Sequence, residues 1–240
     1  MAHQTPFQNS RFSWISSLAP ARNQFVSFVQ NIQPSANRPV TLHLFADTRF
    51  RLFVNEMFVA YGPARFVTQF ADYDSYDLSP WLSSGENLVR VEVNYYGSSS
   101  FQSMPDGLPG FIAAGGSEDG TVDFTTPGNW KGIVHSAWDP QAPLFSFAQN
   151  PAEILNTHTL QQELASPDWK NVEALPESES PWTLLRPRSV PYPDYRKITP
   201  ERLLFAAPAK EECDQIGIQF HDPDFYQRKG RPRKKTSQQL

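Results

Sequence analysis

Asp72, Asp74 and Asp77 lie close together in a chain that carries 25 acidic residues. Hydrolysis by general acid-base catalysis needs two positioned carboxyl groups, one to protonate the leaving oxygen and one to activate water or attack. Alternation along an extended segment puts Asp72 and Asp74 on one face and Asp77 at its end. That arrangement predicts turn or edge solvation more simply than an acid-base pair. The histidines at 3, 43, 135, 158 and 221 show no i, i+2 or i, i+4 ligand spacing, and the single cysteine, Cys213, allows neither an intrachain disulfide nor a cysteine-rich metal site. Nucleophile elbows, phosphate-cradling glycine loops and dinucleotide fingerprints are absent from the sequence. No metal and no cofactor are expected.

Recognition chemistry has more to work with. Aromatic rings stack on the apolar faces of a pyranose, while Asp, Asn, Arg and Gln fork hydrogen bonds to neighbouring hydroxyls. The chain holds 6 Trp, 8 Tyr and 18 Phe, and Tyr95, Tyr96, Phe101 and Trp138 flank loops. Arg65 closes the rigid turn Gly62-Pro63-Ala64-Arg65, which presents a long cation at a strand boundary. Packing in the core competes as the role of each ring, and an ion pair with Asp72 or Asp74 competes as the role of Arg65. Far along the chain, Arg231-Pro232-Arg233 sits inside the basic run from Arg228 to Lys235. This run is similar to an AT-hook, whose extended Arg-Pro segment enters the narrow minor groove of A·T-rich DNA. A solvated basic terminus is the plainer alternative.

The elements that must hold these residues are strands. Apolar residues alternate at Leu42, Leu44 and Ala46, at Phe50, Leu52 and Val54, and at Leu88, Val89, Val91 and Val93, the period of half-buried strands. Asn55-Glu56 predicts a hairpin turn of open type. Ser79 and Pro80 predict a helix start with a Ser79 cap, Gly85 a left-handed close, and the helix between them about 5 residues. Such a helix lays Trp81 and Leu82 on the sheet edge. Asn23 to Val29 predicts the first strand, and Phe111 to Ala114 a later one, followed by a turn from Gly115 to Gly120 that leads into Thr121 to Phe124. The long connection Gly97 to Gly110 is a candidate binding rim, since ordinary connections run to roughly 4–6 residues. Trp130 is expected to pack on the sheet, and Phe145 and Phe147 to mark an edge strand. Ile154 to Leu164 is either strand or helix, and Val172 to Leu175 a last closing strand.

At 240 residues and 39% hydrophobic content, the chain is long enough to bury a sizeable core, and 22 prolines against 12 glycines fit many strands and ordered loops. An all-β, antiparallel sandwich is expected. The division is an N-terminal extension at 1–22, the sandwich at 23–176, a proline-rich linker at 177–205 and a disordered basic tail at 206–240. A formal net charge of −4 argues against a general nucleic-acid surface, leaving the tail as the one place for nucleic acid. Neither a secretory leader nor a membrane span is readable, so no membrane partner is expected and the chain is placed in the cytoplasm.

Three strings carry a family resemblance: A-D-x-R-F-R-L-F-V-N from Ala46, V-A-Y-G-P-A-R from Val59, and Y-D-x-Y-D-L-x-x-W-L-x-x-G-E-N-L-V-R-V-E-V from Tyr73. Together they resemble the N-terminal β-sandwich of bacterial α-L-rhamnosidase-like glycoside hydrolases, related to galactose-binding-like, jelly-roll domains. The likeness is strongest over residues 40–97. It continues more thinly through Trp130, Trp169-Lys170 and the segment from Pro181 to Pro191, which is similar to a linker leading toward a helical catalytic barrel. Glu56 departs from the family, where glycine usually follows the asparagine, and a barrel's several hundred residues do not follow. The resemblance implies an accessory or carbohydrate-binding module without hydrolytic activity, with a sugar and a glycoside hydrolase catalytic domain as partners. It leaves open a split or truncated α-L-rhamnosidase whose catalytic domain lies elsewhere. It makes Gly62-Pro63-Ala64-Arg65 structural to the module without making Arg65 a sugar ligand.

Overall fold

The computed structural model describes residues 5–15, 22–35, 38–67, 69–101, 108–144, 146, 148–182, 184–196 and 198–204. Their strands are β1 (Ser13–Trp14), β2 (Gln24–Ile32), β3 (Val40–Asp47), β4 (Arg49–Val54), β5 (Met57–Gly62), β6 (Ala71–Asp77), β7 (Asn87–Tyr95), β8 (Gly110–Ser117), β9 (Lys131–Val134), β10 (Lys170–Asn171), β11 (Glu173–Ala174) and β12 (Leu185–Pro187). One sheet has the order β11-β1-β8-β3-β6-β12 and the other β10-β9-β2-β7-β4-β5. The two form an all-β sandwich, antiparallel except where β12 runs parallel to β6.

The alternation read from the sequence sets the layers. Along β4, Phe50, Leu52 and Val54 are buried, while Arg49, Arg51 and Phe53 take the other face. Along β7, Val89, Val91 and Val93 are buried, with Arg90, Glu92 and Asn94 opposite. Between the sheets, the rings of Phe28 and Phe111 stack at 4.3 Å and Trp130 meets Phe111 edge-on at 5.1 Å. Trp130 is therefore a packing residue, its indole N–H donating to the Phe124 carbonyl. Burying one such ring contributes roughly 1.5–3 kcal/mol, so this inner row accounts for much of the cohesion between the layers. Trp81 and Leu82 lie against the same core.

Local chemistry departs from expectation at several elements. Asn55 and Glu56 have φ of 50° and 61°, the two positive values of a type I′ hairpin turn. Asn55 anchors it, accepting from the Leu88 N–H at 3.0 Å and donating to Asn87 Oδ1 at 2.8 Å. The helix after Asp77 is a single 3-10 turn at Ser79–Trp81, and Ser79 does not cap it. Instead Asp77 Oδ1 accepts from the Ser79 N–H and Oγ, while Ser79 Oγ accepts from the Val40 N–H. Gly85 does take a positive φ of 107°. Strand β8 runs on through Gly115 and Gly116. From Thr121 to Phe124 only Asp123 pairs, as an isolated bridge to Gly116.

Residues 154–164 resolve into helix α1, Thr157–Ala165, because Asn156 caps it by accepting from the Thr159 N–H at 3.1 Å. Of the closing strand expected from Val172 to Leu175, Glu173–Ala174 is strand, as β11 paired with β1, while β10 just before the buried Val172 pairs with β9 in the other sheet. Phe145 and Phe147 lie outside the described residues. The residues before Asn23 supply β1 and bury Phe7, Trp14 and Ile15.

Asp72 and Asp74 are not solvated edge groups. Asp74 has no exposed side-chain surface, and Arg188 pairs with it at 3.0 and 3.2 Å. Asp72 accepts from Arg186 and from the Ser189 N–H and Oγ. These contacts fasten a strap, residues 185–195, whose first part is β12. Its tyrosines then finish the free edges. Tyr192 OH accepts from the Ser75 N–H and donates to the Ser75 carbonyl, and Tyr195 OH does the same for Tyr61. One hydroxyl thus satisfies two backbone groups on β6 and another two on β5, where an open edge otherwise invites a foreign strand. Trp182, just before the strap, stacks on Phe12 at 4.3 Å and bonds Asp47. A Cβ on Gly110 would sit 2.2 Å from the Trp182 ring, so only glycine allows that approach.

Two outcomes are expected. Glu56→Gly relieves left-handed strain of about 1 kcal/mol and forfeits an exposed ion pair with Arg90 worth about 0.5 kcal/mol. Stability in urea should therefore rise by about 0.5 kcal/mol, and a fall would show that the ion pair dominates. Arg188→Ala strands Asp74, whose carboxyl burial pushes up against hydrogen bonds from Tyr76 and Arg188. It should cost about 3 kcal/mol at neutral pH. A carboxyl raised in the fold contributes stability below its ordinary value and loses it as pH rises through the raised one. The deficit should therefore shrink in mildly acidic buffer, and a deficit that grows would contradict the buried-pair assignment.

Candidate functional site

The outer face of the second sheet is covered over β9 and β2 and open over β7, β4 and β5. The cover is the stretch from His135 to Ser166. Trp138 stacks on Phe25 at 4.4 Å and Leu160 of α1 packs beside them. The helix fully buries none of its residues, and polar bonds add to the packing of Leu160 in holding it. Glu163 accepts from the Ser136 N–H at 2.8 Å and meets His135 Nδ1 at 2.9 Å, while His135 Nε2 meets Ser27 Oγ at 2.8 Å. Burial works to raise the Glu163 carboxyl, yet the bonds from Ser136 and His135 hold it below its ordinary value. Ser27, His135 and Glu163 have the connectivity of a hydrolase triad, but Ser27 is 1% exposed and reaches no substrate. They are a brace for the helix.

Where this cover ends, it leaves a groove of about 350 Å³. Strand pairing builds the floor, because Arg49 sits opposite Asn94 and Arg51 opposite Glu92, with Tyr61 opposite Arg51 on the next strand. Phe25, Tyr96 and the returning segment Asn150, Pro151 and Glu153 complete the lining. Arg51 Nε donates to Glu92 Oε1 at 2.7 Å, and its Nη2 lies 3.8 Å from Glu153 Oε2. Arg90 approaches the other oxygen of Glu92 at 3.5 Å. Arg49 donates to the Tyr61 hydroxyl and lies 5.4 and 5.5 Å from the Tyr61 and Tyr96 ring centres. With its amide turned to suit its neighbours, Asn150 Oδ1 accepts from the Tyr96 hydroxyl at 3.2 Å and from Arg49. Burial raises the Tyr96 phenol, against the pull of Arg49, so it stays neutral. Held cations, held carboxylates and ring hydroxyls make a polar surface that offers both donors and acceptors.

The residues marked from the sequence divide between surface and core. Arg65 is exposed and makes no pair with Asp72 or Asp74. Its Nη2 donates to the Phe101 carbonyl at 2.6 Å and its guanidinium lies 5.3 Å from the ring of Phe101, itself 61% exposed. These two therefore come together. A hollow of about 80 Å³ lined by Arg65 shares Arg49 and Tyr61 with the groove. Tyr96 stands in the groove wall, although only 3% of it is exposed. Tyr95 and Trp138 are core residues whose ring faces are covered by protein: Tyr95 packs beside Trp14, and burial with the nearby Asp47 charge pushes its phenol up to about 12. Residues 102–107 of the long connection and Arg231, Pro232 and Arg233 lie outside the described residues. Among the described residues no group of three or more His, Cys, Asp or Glu is placed to hold a metal ion, and no helix is long and apolar enough to cross a membrane.

Arg49, Arg51, Tyr61, Glu92, Asn94, Asn150 and Glu153 were not marked by sequence reasoning. A signal for four of them existed. Alternation puts Arg49 and Arg51 on one face of their strand and Glu92 and Asn94 on one face of theirs. That these faces are neighbours depends on β4 pairing with β7 across two intervening strands, which no local pattern reveals.

A scan against protein-family models finds no match, and no curated protein matches the sequence. Solved structures do match. The GH78 family rhamnosidase of Bacillus sp. GL1 is 28% identical with a TM-score of 0.67, over 77% of this chain and 20% of that one. The α-L-rhamnosidases of Aspergillus terreus and Dictyoglumus thermophilum are 14% and 13% identical with TM-scores of 0.57 and 0.55. They are matched over 75% and 77% of this chain and 22% of each enzyme, and at that identity they speak to the fold alone. The chain thus spans about a fifth of the length of the enzymes it matches, and it is similar to a partial module of the GH78 α-L-rhamnosidases, a β-sandwich.

Proposed function

We propose that this sandwich is a non-catalytic carbohydrate-binding module that accompanies an α-L-rhamnosidase-like glycoside hydrolase. The observation that carries the reading is its correspondence, at 28% identity, to a fifth of a GH78 rhamnosidase. A fold shared with one part of an enzyme does not bring the enzyme's chemistry with it. The polar, ring-walled groove supports binding as the role, because Arg51 is held by Glu92 and Glu153, and Arg49 by Tyr61 and Asn150, so that donors and acceptors are fixed side by side. The paired aspartates that first suggested acid-base chemistry are committed to the strap. Asp72 and Asp74 act on Arg186, Ser189 and Arg188, which leaves them no substrate to serve.

The test combines turnover and binding on the purified chain. With p-nitrophenyl α-L-rhamnoside no release of nitrophenol above buffer is expected, while a glycan array or calorimetry should register sugars in the millimolar range, roughly −4 kcal/mol. Turnover that disappears in Asp72→Asn would contradict the non-catalytic role. Silence on the array with a folded chain would remove the binding role and leave support of a catalytic domain.

A further inference from the structure

The groove on the open face is itself the place to look for a ligand, and its electrostatics narrow the class. We infer that it seats one neutral pyranoside through two adjacent hydroxyls, held between Arg51 and the Glu92–Glu153 carboxylates, with the ring against Tyr61. This rests on the carbohydrate role proposed above and adds its location and the ligand's charge.

Charge balance comes first. Arg49 and Arg51 face Glu92 and Glu153 within the same lining, so the groove carries no net field that would draw an anion or a cation. An anionic sugar would have to displace Glu92 or Glu153 from Arg51, or the Tyr61 hydroxyl and Asn150 Oδ1 from Arg49, whereas a hydroxyl can donate to a carboxylate and accept from a guanidinium without breaking the pair. Access comes second. The side chains of Arg51 and Glu153 are 35% and 52% exposed, and their 3.8 Å separation is wide enough for a hydroxyl to join both. Third, Asn94 lines this groove, and the Oδ1 of its half-buried amide has no hydrogen-bond partner among the described residues. Once the amide turns toward the groove, that acceptor suits a ligand hydroxyl rather than an apolar or acceptor-only group. Size agrees, since about 350 Å³ falls at the low end of the roughly 300–1,000 Å³ of small-molecule sites. Finally, the wall is held from behind. Tyr195 OH pins both backbone groups of Tyr61, so the strap fixes the ring and its hydroxyl beside Arg49 before a ligand arrives.

The experiment uses the full chain and three probes: methyl α-L-rhamnopyranoside, methyl β-D-galactopyranoside and galacturonic acid, titrated by calorimetry and by amide chemical shifts. At least one neutral glycoside should bind about tenfold more tightly than the uronate, with shifts concentrated at Tyr61, Glu92, Asn94 and Glu153. Glu153→Gln, at an exposed position, should weaken that binding at least fivefold with an unchanged melting temperature. Shift mapping on the unaltered chain gives the location even if a substitution disturbs folding. Tighter binding of the uronate would overturn the neutral-ligand assignment. Neutral-sugar binding that ignores Glu153→Gln and is lost in Arg65→Ala or Phe101→Ala would move the site to the rim and overturn the groove, leaving the carbohydrate role standing. Failure of all three probes while a glycan array reports other sugars would overturn the groove alone, and silence of both would overturn groove and role together.

Discussion

A carboxylate with no exposed surface cannot be left alone, and Asp74 sets that demand near the edge of the first sheet. Arg188 answers it, and in doing so also binds the carbonyls of Val190 and Pro191 and lies 4.8 Å from the Tyr192 ring. One buried pair therefore shapes the strap that follows it. The strap then carries Tyr192 to β6 and Tyr195 to β5, from one layer of the sandwich to the other. Because Tyr61 is both the residue pinned by Tyr195 and part of the groove lining, the chain's proline-rich segment and the groove meet at one residue.

The groove follows from two further constraints. Sheet pairing brings an Arg-rich strand beside an acid-bearing one, and the His135–Ser166 cover meets them only along its edge at Asn150 and Glu153. Had the cover extended over β7 and β4, the same residues would be interior ion pairs, costly to desolvate and closed to ligands. The exposed half of the sheet is instead a row of satisfied charges with water on one side. Such a surface is suited to a partner that supplies both donors and acceptors, which is the character of a sugar.

The sandwich was legible because alternation is a local signal and this sequence keeps it with few interruptions through β3, β4 and β7. The hairpin was legible at Asn55, and its type only when Glu56 proved to hold a positive φ beside Arg90. Less was legible where a residue's meaning depends on distant partners. Asp72 and Asp74 read as edge groups until residues more than a hundred positions later closed over them. Tyr95 and Trp138 flank loops in sequence yet face inward, since a loop boundary does not say which side of the sheet a ring takes. Arg65 and Phe101 do meet at the surface, and the groove beside them was assembled by long-range pairing that spacing alone does not encode.

The unity of strap and sandwich is open to direct observation by amide hydrogen exchange at Tyr61 and Ser75, whose N–H groups donate to the Tyr195 and Tyr192 hydroxyls. On edge strands these amides would otherwise face water and exchange freely. Strong protection of both in the intact chain, lost together in Arg188→Ala while the amides of β2 and β7 stay protected, is the expected result. Fast exchange at both positions in the intact chain would contradict it, because the strap would then not be closing the edges that position the groove.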